Sequence, residues 1–251
     1  MQIDYILGPF LAACQFLTVL PIRYHVPGRA LERSISWFPV VGTLLGLALA
    51  GIDRAAQLVL APPVVNALLV AANVGFTGSL HLDGLIDSVN GLRAGPDRQA
   101  RLAVMRESIA SPPGAIACCW LLIAMYASLT SLPTSIRFVT LVLAPTLGRA
   151  MILLAYWLFP YSRPGPSPTA SLKRGATGLG AFAGCAAALT VVCGLAGIRG
   201  LPLVLIVLAI MLTTSSLALL RISGLTGDVY GAICALSELA VLAAAPGVLS
   251  R

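Results

Sequence analysis

Residues 200–220 read GLPLVLIVLAIMLTTSSLALL, twenty-one consecutive positions without a charged side chain. A helix needs about 20 mostly apolar residues to cross the hydrocarbon core of a bilayer, so this one stretch already restricts the fold. Comparable runs occur at 37–52, 58–79, 114–131, 138–159, 176–198 and 230–249, which with 200–220 predicts seven spans. An eighth apolar stretch, 5–20, is interrupted by Pro9 and could span, dip into the bilayer or lie at its interface. Charged residues make up 10% of the chain, against roughly 25% in a soluble domain. A disordered chain would be polar and charge-rich. With 6% aromatics and no long basic run, the net charge of +7 does not describe a nucleic-acid binder. The expected fold class is all-α: a single polytopic membrane helical bundle over 1–251, with about seven or eight transmembrane or re-entrant helices.

The basic residues read as a topology signal. Arg23, Arg29, Arg33, Arg93, Arg98, Arg101, Arg106, Arg163, Lys173, Arg174 and Arg221 fall on one side of the predicted spans. Arg54, Arg137, Arg199 and Arg251 fall on the other, and Arg149 is left inside a span. The richer side is expected to be cytoplasmic. The six cysteines form no C-x-x-C pair and sit largely in apolar stretches, which supports neither a disulfide framework nor a zinc site. The glycines of the 37–52 span (Gly42, Gly46, Gly51) suit close helix–helix packing.

Only nine acids are present, and Asp83, Asp87, Glu107 and Asp228 all fall at span ends on the predicted cytoplasmic side. The connection 80–113 is the longest polar stretch and carries the segment HLDGLIDSVNG at 81–91. At 3.6 residues per turn, Asp83, Asp87 and Asn90 share one helix face, and Gly84 and Gly91 form an adjacent bare strip where a ligand or another backbone can approach. Two carboxylates four residues apart repel each other unless a cation lies between them, and hard oxygen donors favour Mg²⁺. The alternative is an exposed helical turn whose acids face water. His81 reads equally as a phosphate or metal contact and as an interfacial ring with its own hydrogen bond. Arg106 could contact an anionic group or form a surface ion pair with Glu107. Asn73, in mid-span, reads as a helix–helix hydrogen bond. Glu238, inside the last span, is either functional or a carboxyl hydrogen-bonded to a neighbouring helix.

A second constellation, SGLTGD at 223–228, can turn backbone N–H groups toward an anion at the start of the following helix. Gly224, Thr226 and Gly227 are the expected contacts. Asp228 could equally serve as a helix cap.

Taken in order, FLTVLPI (16–22), FPVVGTLLG (38–46), HLDGLID (81–87), MRES (105–108) and GLTGD (224–228), with Gly231 and Glu238, resemble the cobalamin synthase family, the adenosylcobinamide-GDP ribazoletransferases. The resemblance runs from about residue 10 to 245. It implies a Mg²⁺-dependent inner-membrane enzyme that joins α-ribazole, or its 5′-phosphate, to adenosylcobinamide-GDP and releases GMP, with its active site facing the cytoplasm. It further implies Asp83, Asp87, Glu107 and Asp228 as catalytic and metal-binding residues. His81, Asn90, Arg106, Gly224, Thr226 and Gly227 would be substrate contacts. The chain departs from the family pattern at Asn90 and Glu107, where Asp is usual, and at Ile109, where Arg is usual. A homo-oligomer is compatible with this reading. The rivals are a polytopic transporter, a CDP-alcohol phosphotransferase (whose D-G-x-x-A-R signature is absent) and a corrinoid-binding relative without turnover. A transporter should hold its polar groups near the bilayer midplane, on broken helices.

Overall fold

The computed structural model describes residues 2–22, 28–107, 111–163 and 165–250. It is helical almost throughout. The elements are α1 (Gln2–Leu17), α2 (Gly28–Ser34), α3 (Phe38–Ala56), α4 (Pro62–Phe76), α5 (Leu80–Arg93), α6 (Arg98–Glu107), α7 (Pro112–Thr130), α8 (Thr134–Leu158), α9 (Pro168–Gly175), α10 (Gly178–Ala196), α11 (Leu201–Ile222) and α12 (Gly227–Leu249). Single 3₁₀ turns precede α3 and α11. Prolines open α4, α7 and α9, where the missing N–H is not needed by the helix. Five helical stretches are long and apolar enough to cross a membrane, six if α4 and α5 count as one broken span.

One of the five is the 45-residue stretch Gly178–Ile222. As a straight helix it would run roughly 65–70 Å, about twice the bilayer core. It instead doubles back at Gly197, which takes φ +57°. A Cβ on Gly178 would sit 3.7 Å from Trp157 at the end of α8. At the far end of the stretch, the Ile222 carbonyl accepts from Ser162, four residues beyond the end of α8. Both termini of the hairpin therefore lie at one end of the bundle, and α10 and α11 are the two spans expected from 176–198 and 200–220.

The bundle is organised around α8, buried from Thr140 through Leu153 on every face. Helix α3 lies against it through two glycines one turn apart: a Cβ on Gly42 would strike the Pro145 carbonyl, and one on Gly46 would meet Val142 Cα at 2.6 Å. This is the close approach that small residues permit in membrane helices. Gly51 faces open space. Helix α12 packs along α8 and α5, and α7 covers α5.

Two polar clusters tie the spans together. At one end Arg137 donates to Asp53 (2.9 Å), Asn66 (2.6 Å) and the Leu129 carbonyl (2.9 Å), joining α3, α4, α7 and α8. In the interior Arg149 forms an ion pair with Glu238, whose other oxygen accepts from Asn73 Nδ2 at 2.7 Å. Glu238 thus bonds across to α8 and α4, and Asn73 makes the interhelical bond its position suggested.

The polar connection 80–113 differs from a loop. It forms α5 and α6, and α5 meets α4 at 83° across the break at Thr77–Ser79. Gly78 and Ser79 both take left-handed backbone there, at φ +56° and +64°. The chain continues as helix because α5 has apolar residues to bury against α12 and α7, including Leu85 and Leu92. The uncertain 5–20 stretch is α1, a short helix packed on α2 and α3, with Val19 N–H bonded to the Phe76 carbonyl at the α4–α5 break (2.9 Å).

Candidate active site

The α5–α12 crossing brings the sequence's scarce acids together. A Cβ on Gly84 would lie 2.7 Å from the Asp228 carbonyl and 3.0 Å from Gly231 Cα; one on Gly231 would meet the Leu80 carbonyl at 3.3 Å. The bare strip of α5 therefore receives another backbone. Gly91, the second glycine of that strip, receives Met105 of α6. The close crossing leaves room beside it for a cavity of about 290 Å³, at the end of the bundle that carries Arg98, Arg101, Arg163, Lys173 and Arg221.

Asp83 and Asp87 from α5 and Asp228 from the first turn of α12 line this cavity, with His81, Gly227 and Arg163. Arg163, in the α8–α9 loop, pairs with Asp228 at 2.7 Å. Thr226 caps α12 by accepting from Val229 N–H and donates to Asp228 at 3.1 Å. Three carboxylates thus face one guanidinium, and Asp87 acts electrostatically on both Asp83 and Asp228. Such repulsion is relieved by a cation. Tyr156 and Tyr230 stack at the cavity wall, ring centroids 3.6 Å apart.

Not every expected residue lies here. Glu107 ends α6, exposed and outside the cavity lining, and Arg106 beside it is likewise exposed. Asn90 is turned toward the start of α7, where it accepts from Ser111 Oγ and packs on Gly114. The helical period did not separate these positions, because 87 and 90 differ by enough rotation for α7 to claim one and the cavity the other. Gly224 abuts the 160–162 segment: Leu225 N–H donates to the Pro160 carbonyl and Ser162 N–H to the Leu225 carbonyl, both at 2.8 Å. A Cβ at Gly224 would strike Pro160 O at 2.8 Å, and φ is +156°. The Leu225 N–H of the turn is thus used within the protein, and Thr226 serves as a cap. Ile109 lies outside the described residues.

Among the described residues no three His, Cys, Asp or Glu side chains converge closely enough to hold one metal ion. The four-carboxylate cage expected from the sequence is therefore not assembled. What remains is the Asp83–Asp87 pair at i, i+4, with Asp228 across the cavity. That arrangement fits Mg²⁺, which is commonly held by one or two carboxylates with water and substrate phosphate oxygens completing the octahedron.

Arg163 carried no local signal in the sequence beyond its sign, and Tyr156 and Tyr230 read as ordinary span residues. Phe16 and Phe38, which also line the cavity, stood in the motifs that carried the resemblance. Other basic residues at this end are structural. Arg98 donates to the Ile222 carbonyl (3.0 Å), Arg101 to the Arg221 carbonyl (2.9 Å), and Lys173 to the Tyr156 carbonyl, closing the ends of α11 and α8.

Fold and site together define a polytopic helical membrane protein with an acidic cavity at one end of its bundle. Residues 9–246 match the cobalamin-5-phosphate synthase family, and the chain belongs to it. It is accordingly a transferase of cobalamin synthesis. An adenosylcobinamide-GDP ribazoletransferase of Pseudomonas entomophila is 37% identical over 245 residues, 93% of this chain and 96% of that one. Those of Pseudomonas paraeruginosa (35%, covering 95% and 97%) and Desulforamulus reducens (33%, covering 88% and 89%) are similar across nearly their full lengths. No solved structure matches the chain.

Proposed function

We propose that this protein joins α-ribazole, or its 5′-phosphate, to adenosylcobinamide-GDP with release of GMP. The reaction would take place in the Asp83–Asp87–Asp228 cavity, at the cytoplasmic face of the inner membrane. The observation that carries this is the meeting of α5 and α12 through Gly84 and Gly231, which sets carboxylates 145 positions apart in the chain around one volume. A ribose hydroxyl oxygen forms a bond to the phosphorus nearer the corrinoid, the pyrophosphate bridge to GMP breaks, and GMP departs with the bridging oxygen. Asp228, held by Arg163 and Thr226, would take the hydroxyl proton. Arg163 can turn its remaining N–H groups to phosphate oxygens. Asp83 and Asp87 would hold Mg²⁺, whose charge neutralises that developing on the transferred phosphoryl group. His81 and Gly227 also line this cavity.

A transporter is less well supported. The interior space around His81, Arg149 and Glu238 is about 20 Å³, room for roughly one water molecule. The acids that line larger volumes sit at the two ends of the bundle, Asp53 at one and Asp83, Asp87 and Asp228 at the other.

The test is GMP release by the full-length protein in lipid nanodiscs with Mg²⁺ and both substrates. Activity in the wild type and its loss in Asp83→Ala are expected. No GMP from the wild type, under conditions where the Pseudomonas relative produces it, would overturn the reading.

A further inference from the structure

The cavity has a second wall that phosphoryl transfer does not use. Phe16, from the last turn of α1, lines it and stacks on Phe38 at the start of α3, ring centroids 5.8 Å apart and planes 19° from parallel. Phe38 is fully buried and Phe16 half-buried, so the inner ring backs the outer one. The end of α1 is fixed as well. Thr18 Oγ1 donates to the Cys14 carbonyl (2.7 Å) and Val19 N–H to the Phe76 carbonyl (2.9 Å), while a Cβ on Gly78 would meet Val19 Cγ1 at 2.9 Å. These contacts hold the end of α1 against the α4–α5 break, and Leu80, at the start of α5, lines the same cavity as Phe16 and Phe38. Asp83 and Asp87 follow one and two turns along the same helix, so Leu80 and Asp87 are separated by roughly 10 Å. That is about the span of a nucleoside from its base to a ribose hydroxyl.

We propose that Phe16, held by Phe38, is the stacking surface for the planar heterocycle of the nucleoside acceptor, which occupies this cavity with its ribose toward the carboxylates. The proposal rests on the transferase reading above. At about 290 Å³ the cavity admits one nucleoside and lies at the lower limit of small-molecule sites; a corrin macrocycle must remain outside, presenting only its pyrophosphate arm. The heterocycle is flat and uncharged, and a ring whose plane is fixed from behind recognises it without a hydrogen bond.

Steady-state kinetics of the full-length protein in nanodiscs test this. Phe16→Ala should raise the KM for α-ribazole about tenfold, the usual scale for losing one base–aromatic stack. The KM for adenosylcobinamide-GDP and kcat should stay near wild type, and Phe16→Tyr should restore the KM. Phe16→Leu, which keeps bulk without a π face, should fold as wild type and still show the elevated KM. An unchanged α-ribazole KM in Phe16→Ala and Phe16→Leu, or an equal rise for both substrates, overturns the proposal and leaves the transferase reading intact. Should the wild type release no GMP, the transferase reading fails. The subsite is then judged by equilibrium binding of α-ribazole alone: weaker binding to Phe16→Leu supports it, and equal binding overturns it.

Discussion

Gly84 of α5 and Gly231 of α12 lie against each other so closely that a single methyl group on Gly84 would come within 3.0 Å of Gly231 Cα. The obstructing atoms are backbone, which cannot rotate aside. Gly84→Ala should therefore push the helices apart, cost roughly 1–3 kcal/mol of stability as overpacking, and separate Asp83 and Asp87 from Asp228. Thermal unfolding in detergent and GMP release on the same preparation would read both effects, with activity falling more steeply than stability. Full activity in Gly84→Ala would show that the crossing does not set the site.

Glu107 and Asp87 offer a direct comparison. Glu107 is exposed at the end of α6, away from the cavity. Glu107→Gln should stay within about twofold of wild-type GMP release, as surface substitutions usually do. Asp87→Asn should abolish most of it. A collapse of activity in Glu107→Gln would return that residue to the metal set.

Removing magnesium should stop the reaction, and the Mg²⁺ concentration giving half-maximal rate should rise in Asp83→Asn. Titration of the chelated enzyme with Mg²⁺ measures this. Undiminished GMP release in excess chelator would exclude the metal role assigned to Asp83 and Asp87.

The ion pair of Arg163 with Asp228 is partly exposed, at 21% and 18% of the two side chains. Arg163→Ala should change stability by no more than about 1 kcal/mol while lowering kcat/KM for adenosylcobinamide-GDP by an order of magnitude or more. Arg163→Lys should recover part, since Lys supplies the charge without the planar fork. A loss confined to stability would make Arg163 a structural clamp.

Arg149 and Glu238 are almost fully buried, so each is stable only with the other. Glu238→Ala should destabilise the protein by roughly 3–5 kcal/mol, while replacing both with apolar residues of similar volume should regain much of it. Melting temperatures of the single and double variants decide this. Additive losses would contradict the pairing.

The sequence alone determined the class. Apolar runs of bilayer length, charge gathered mostly at their ends and a handful of acids on one side dictate helices, passes and the end where those acids collect, because these follow from the local cost of leaving a polar group or an open backbone in hydrocarbon. It also marked Asp83, Asp87 and Asp228, since carboxylates this rare stand out singly. Tertiary structure alone decided which of the marked residues share a volume. Asn90 and Asp87 lie on one helix less than a turn apart, yet α7 takes the first and the cavity the second. Glu107 has the right chemistry and the wrong address, and Gly224 spends its turn on the 160–162 segment. Phe16 and Arg163, apolar and basic residues among many, enter the cavity only because α1 is tied to the α4–α5 break and the α8–α9 loop bends over α12. Helical period and composition are properties of neighbours in the chain, whereas a site is made by the packing of helices that are not neighbours.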